Sequence, residues 1–346
     1  MKNPIRAAAL LACATLGMTA GPATARAPEV IPSATYTAPA RLIDIGGGRK
    51  LNLFCQGHGP VVLMETGFSD TTMTWRKVQG EIATFATACS YDRAGLGFSD
   101  PADHPSDLAN NAADLERLIK AAGFARPILL GHSLGGLYVG YYARTRPGQV
   151  AGLVLVDPSI FSPRDLFAKL LGPEVMAKRD AARLEQVAHY RHCLDLAKSG
   201  QLVPGQAASD ASCLDDPPLE DPMLHAETDR QLARVQTQAA TQSEDVSYAG
   251  ETPTSPKPDE VQWNAAPPLA VDLPVILLKR PIPKPASLSQ AVFDELLADA
   301  EARQAAQAPA PGGRVVMVAN TGHQIQLDQP QAVIDAVREM VERTRR

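Results

Sequence analysis

No run of lysine and arginine stands out in this chain, and its 346 residues carry a formal net charge of −5. Such a surface has little to offer a phosphate backbone, so nucleic acid is not an expected partner. Beyond the opening segment no stretch is apolar enough to form a membrane-spanning helix, and no stable membrane insertion is expected. The spacing G-x-G-x-x-G is absent; Gly95-Leu96-Gly97 alone does not make a dinucleotide loop. His189, His192 and His225 lack a paired carboxylate motif and read as surface or packing residues rather than zinc ligands. Cysteine is sparse, at five residues, and its use depends on how the chain begins.

That beginning reads as a secretory signal over residues 1–25. Lys2 and Arg6 supply the positive start, Ala7–Ala20 is apolar apart from two threonines, and Ala23-Thr24-Ala25 is an A-x-A cleavage site. The mature protein is expected to start near Arg26 and to be exported, periplasmic or secreted. Its net charge would then move from −5 to −7 by loss of Lys2 and Arg6. The apolar run before Cys13 is too short for a lipoprotein signal. Cys55, Cys89, Cys193 and Cys213 remain, and an even number in an exported chain points to disulfides, with three pairings open.

The composition, 45% hydrophobic, is ample for a buried core. The length is ordinary for an α/β core carrying an inserted subdomain. The most informative stretch is Pro127–Tyr142. Ile128–Leu130 is a short apolar run, as a strand buried on both faces would be. Gly131-His132-Ser133-Leu134-Gly135 follows, matching G-x-S-x-G, and then Leu137, Tyr138, Tyr141 and Tyr142 fall at helical spacing. A serine at the apex of a strand-to-helix turn needs glycines around it, so that strand and helix approach closely. Its hydroxyl stands at a helix N-terminus, where amides favour developing negative charge. A second motif, Tyr91-Asp92-Arg93-x-Gly95-x-Gly97-x-Ser99, lies upstream.

Together these motifs resemble the α/β-hydrolase family, specifically its G-H-S-L-G-G members. The resemblance covers about residues 40–158 and 270–343. It implies an α/β-hydrolase fold, a mostly parallel central sheet flanked by helices, with a mainly helical cap inserted. The core would occupy 26–158 and 273–346, and the cap 159–272. Ser133 would be the nucleophile and His323, in Gly322-His323 after the last strand, the base. The amides of Phe68 and Leu134 would form the oxyanion hole, with Thr66-Gly67 standing where the family commonly has H-G. Asp92 and Arg93 would tie down loops through charge-assisted hydrogen bonds, and His132 would be structural. In most of the family the acid follows the strand equivalent to Pro274–Leu278, but here no Asp or Glu appears until Asp294. Asp157, at the carboxyl end of the strand after the elbow helix, is the other candidate. The cysteines are expected to pair Cys55–Cys89, on strands adjacent in this fold, and Cys193–Cys213, within the insertion.

The implied chemistry is attack of Ser133 on an acyl carbonyl of a small-molecule substrate, an acyl-enzyme, and hydrolysis, with no metal or cofactor required. Serine rather than aspartate at the elbow argues against dehalogenase or epoxide-hydrolase chemistry, for which the family uses a carboxylate. A non-catalytic hydrolase-like binding protein and a cofactor-free haloperoxidase or carbon–carbon hydrolase stay open. Among the remaining elements, Pro28–Pro39 reads as an extended arm, Trp75–Phe85 as one helix, and Glu227–Thr241 as another.

Overall fold

The computed structural model describes residues 31–204, 211–214, 221–309 and 311–345. The expected leader and its cleavage site lie outside them. Eight strands form one sheet: β1 (Arg41–Gly46), β2 (Arg49–Gln56), β3 (Val61–Glu65), β4 (Thr87–Tyr91), β5 (Ile128–His132), β6 (Gly152–Val156), β7 (Val275–Lys279) and β8 (Gly313–Met317). Their order is β1-β2-β4-β3-β5-β6-β7-β8. β1–β2 and β2–β4 pair antiparallel and every later pair is parallel.

The central strands are short apolar runs because both faces are covered. On one face Leu63, Leu129, Leu153, Leu155 and Leu277 pack under the helices α2 and α3. On the other Met64, Leu130, Val154, Val156 and Ile276 pack under α1 and α10. These flanking helices are α1 (Gln79–Ile82), α2 (Leu108–Ala121), α3 (Leu134–Thr145) and α10 (Pro330–Thr344). The α10 stripe of Val333, Ile334, Val337, Met340 and Val341 is buried, and each such side chain contributes about 1.5–3 kcal/mol.

Between β6 and β7 the chain is helical: α4 (Arg164–Lys198), α5 (Pro222–Leu232), α6 (Val235–Ala249) and α7 (Pro258–Ala265). After β7 come α8 (Gln290–Ala305) and the single turn α9 (Ile325–Asp328). α4 is two helices meeting at Gly172 (φ 74°, ψ 170°), just before Pro173, as helix-breaking residues require. α7 lies in a stretch, Ala249–Pro268, rich in proline and small polar residues. It starts on Pro258 and caps the core helix α2: Asp259 Oδ1 and Gln262 Oε1 accept the Leu108 and Ala109 N–H groups at 2.9 and 2.8 Å. No helix among the described residues is long and apolar enough to cross a membrane.

Three expectations need correction. Residues 75–85 do not form one helix but a 3-10 turn, Thr72–Trp75, followed by α1. Mixed turns, with Val78 N–H on Trp75 O and Phe85 N–H on Ile82 O, still bury Trp75, Val78 and Ile82, so the spacing does not distinguish the two. The arm is not extended throughout, because Ser33–Thr37 is a 3-10 turn. Tyr36 is buried there beside Phe54, Met73 and Leu224, and Ser33 Oγ donates to Asp221 on the insertion. The helix expected over 227–241 is split between α5 and α6. Arg234 adopts an extended backbone (φ −79°, ψ 139°) and donates to Gly97 O at 2.7 Å.

Both disulfides form as expected. Cys55–Cys89 joins directly opposed residues of β2 and β4, and Cys193–Cys213 ties α4 to the short turn Ala211–Cys213.

Candidate active site

The strand order reverses at β3. The chain passes from β3 to β4 on one side, then returns to lay β5 on the other. In an open α/β sheet the crevice outside the carboxyl ends of such strands is where ligands bind. Loops after β3, β5, β6 and β8 converge there, carrying residues 66–70, Ser133, Asp157 and His323.

Ser133 follows β5 directly and precedes α3, with φ 53° and ψ −121°. That conformation is strained for a residue with a Cβ and is held by its surroundings. A Cβ on Gly131 would lie 2.6 Å from Gly135 O, and one on Gly135 would lie 2.2 Å from Thr66 O. Both glycines are therefore required by close backbone approach. Ser133 N–H donates to Val156 O at 3.0 Å, locking the elbow to the end of β6.

Asp157, His323 and Ser133 form a continuous hydrogen-bonded chain. Asp157 Oδ2 lies 2.6 Å from His323 Nδ1, and His323 Nε2 lies 2.8 Å from Ser133 Oγ. Asp157 comes immediately after β6, with φ 42°, and is 7% exposed. Burial acts to raise its pKa, but the hydrogen bond from His323 and the charge of Arg280 outweigh it and hold the carboxyl below its usual value. Arg280 Nε donates to Asp157 Oδ2 at 3.0 Å. Asp294, the other candidate acid, is exposed on α8 and accepts from Gln290 Nε2, whereas the His323 ring is bonded to Asp157 and Ser133.

The histidine loop is shaped by two groups that local patterning did not single out for the task. Asp328 Oδ2 accepts Gly322 N–H at 2.8 Å. His132 Nε2 donates to the His323 carbonyl at 3.0 Å. Burial, helped by nearby His323, brings the His132 pKa down to about 4, so the ring is neutral in that role. His132 is thus structural, as expected.

The loop after β3 lies against the elbow: a Cβ on Gly67 would be 3.4 Å from Ser133 Cβ. Among the described residues no hydrogen bond engages the Phe68 or Leu134 amide. Arg93 donates to Gly67 O at 2.6 Å, and to Glu65 and Glu244. Asp92 accepts from Thr72 N–H, Asn52 Nδ2 and Phe98 N–H at 2.9, 2.8 and 3.1 Å. Both motif residues thus tie loops together. Glu65, Glu244, Arg280 and Ser159, whose Oγ is 3.4 Å from Ser133 Oγ, sit in no recognisable local pattern.

A cavity of about 490 Å³ opens beside this loop, bounded by Phe68, Met73, Tyr190, Thr241, Gln324 and Leu327. His189 borders it beside the Cys193 sulfur. His225, also on the insertion, lies 3.8 Å from Asp229 Oδ2.

A mostly parallel sheet with a strained strand-to-helix serine at its switch point is the arrangement of the α/β-hydrolase fold. The chain belongs to the alpha/beta hydrolase family, whose model matches residues 57–336. Among curated proteins it is similar to the uncharacterized protein YqjL of Bacillus subtilis, 30% identical over 103 residues, covering 30% of this chain and 41% of that one. The chain spans less than half the length of the first curated relatives it matches. Its fold is similar to a haloalkane dehalogenase loop variant from Bradyrhizobium elkanii, with TM-score 0.62 and 18% identity, covering 88% of this chain and 96% of that one. It is also similar to a thermophilic esterase from Thermogutta terrifontis, with TM-score 0.56 and 18% identity, covering 89% and 99%.

Proposed function

We propose that this chain is a serine hydrolase that cleaves a carboxylic ester, or a lactone or thioester, through an acyl-enzyme. The observation that carries the reading is the hydrogen-bonded chain Asp157–His323–Ser133, with a hydroxyl and not a carboxylate at the elbow. His323 Nε2 takes the proton as Ser133 Oγ attacks the acyl carbonyl, and Asp157 stabilises the imidazolium that results. The tetrahedral oxyanion is held by the unengaged amides of Phe68 and Leu134. His323 then protonates the leaving alcohol or thiol. Water activated by the same nitrogen releases the acid and restores Ser133. The cavity beside Phe68 takes one side of the substrate. Export to the periplasm or medium is part of this proposal, supported by the leader-like start and by two disulfides.

The test is labelling of the wild type and Ser133→Ala with a fluorophosphonate probe, alongside hydrolysis of p-nitrophenyl acyl esters of graded length. Labelling and turnover that both require Ser133 support the reading. A folded wild type that neither labels nor turns over refutes it and favours a binding protein.

A further inference from the structure

Arg93 is a buried cation shared between core and insertion. It is 2% exposed, and its two carboxylate partners, Glu65 on β3 and Glu244 on α6, are each 1% exposed. Nη1 donates to Glu65 Oε1, Thr66 O and Thr66 Oγ1, each at 2.8 Å. Nη2 donates to Gly67 O at 2.6 Å, and Nε donates to Glu244 Oε1 at 2.7 Å. The second oxygen of Glu244 accepts Ser69 N–H at 2.8 Å. Thr241, one turn earlier on α6, meets Ser69 Oγ with its own hydroxyl.

These contacts fix two peptide planes. The Gly67 carbonyl and the Phe68 N–H belong to one rigid trans unit and point in opposite directions. Arg93, by holding that carbonyl, aims the Phe68 N–H the other way. The Phe68 carbonyl and the Ser69 N–H belong to the next unit, and Glu244 holds that one. Ser69 sits at φ 52°, a conformation the free chain rarely keeps. Phe68 therefore hangs between two pinned planes, and Glu244 acts on both: on one directly, on the other through Arg93.

We propose that Glu244, contributed by the helical insertion, is a positioning residue for the Phe68 oxyanion amide. The inference rests on the serine-hydrolase reading and deepens it: the insertion completes the alignment of the donor. A chain with α6 undocked would keep Ser133 and His323 in contact yet lose the aim of one oxyanion donor.

The test compares Glu244→Gln and Glu244→Asp in the full chain. Glutamine keeps the shape but offers one acceptor oxygen, so its NH₂ must face either the Arg93 Nε–H or the Ser69 N–H, a donor against a donor. Aspartate keeps the charge and both acceptors on a shorter stem. For Glu244→Gln, kcat is expected to fall about tenfold to a hundredfold, short of the effect of deleting a donor outright. KM should stay within about threefold, since the donor acts on the transition state. Affinity for a boronic acid, whose tetrahedral serine adduct bears the oxyanion, should fall in parallel with kcat. Amide hydrogen exchange over residues 66–71 should quicken, and Glu244→Asp should lie between wild type and Glu244→Gln on every readout.

Wild-type exchange and boronate affinity in Glu244→Gln would overturn the proposal, as would a kcat loss that leaves both unchanged. If Glu244→Gln does not fold, Glu244→Asp must still show faster loop exchange than wild type, or the proposal fails. If wild type proves inactive on esters, the hydrolase reading fails separately, and the exchange data alone still decide whether Glu244 holds the loop.

Discussion

Replacing Asp157 with asparagine removes one charge and, at Oδ1, the acceptor that meets the Arg280 N–H at 3.4 Å. The side chains are isosteric, and after glycine, asparagine is among the residues that best tolerate φ 42°. Its carbonyl oxygen can take the place of Oδ2, 2.6 Å from His323 Nδ1 and 3.0 Å from Arg280 Nε. On the proposed mechanism, what is lost is the anion facing the imidazolium that forms during attack. A unit charge about 4 Å away at an effective dielectric of about 20 is worth about 4 kcal/mol, which is about a thousandfold in rate. The same replacement in a serine protease costs about 10⁴-fold, a loss that includes the wrong imidazole tautomer and so marks the upper end of the range. We therefore expect Asp157→Asn to lower kcat by about 10³–10⁴-fold with the fold intact. The Asp157 carboxyl is held below its usual pKa, so it adds stability above the unfolded value, about 3.9, and loses it as pH falls through the folded value. The stability gap between wild type and variant should therefore narrow in acid. The assay is p-nitrophenyl ester turnover, with urea unfolding at pH 7 and below. A folded variant with kcat within about tenfold of wild type would refute the reasoning and remove Asp157 from the mechanism.

Asp259 is fully buried, its Oδ2 has no hydrogen-bond partner among the described residues, and burial pushes its pKa up to about 8. At this carboxyl the folded state binds more protons than the unfolded one between about pH 4 and 8, so its own contribution to stability falls as pH rises through that window. Asp259→Asn should remove that contribution and be the more stable form at pH 8.5 in urea unfolding; parallel curves for wild type and variant would contradict this. Gly135→Ala would put a Cβ 2.2 Å from Thr66 O, so the loop after β3 must shift. A misplacement of about 1 Å can cost about 10²-fold in rate, and wild-type kcat in this variant would show that the contact is not limiting. The Cys55–Cys89 bridge closes a 34-residue separation. On the chain-entropy model its removal by paired alanines should cost about 3–4 kcal/mol in urea unfolding, and a loss below about 1 kcal/mol would count against that account.

The elbow was legible because its constraint is local: a strand, a strained apex and a helix demand small residues at fixed offsets. The strand leading into the elbow was legible as the apolar run Ile128–Leu130. The helix expected at 75–85 failed because turns of either kind bury the same residues. The helix α7 was missed because its work, capping α2 through Asp259 and Gln262, is done on another segment.

By itself, then, the sequence determined the fold class, the serine at the apex, the histidine after the last strand and the even set of cysteines. Each of these is written within a few neighbouring residues or in a simple count. Which carboxylate faces His323 was decided only by tertiary structure, because Asp157 and His323 lie 166 positions apart and meet only when β6 and β8 share an edge. The same holds for Glu244, which reaches Arg93 across 151 positions. A carboxylate carries no local mark of its future partner. Its role is set when folding removes water from around it and leaves one cation or one N–H to face.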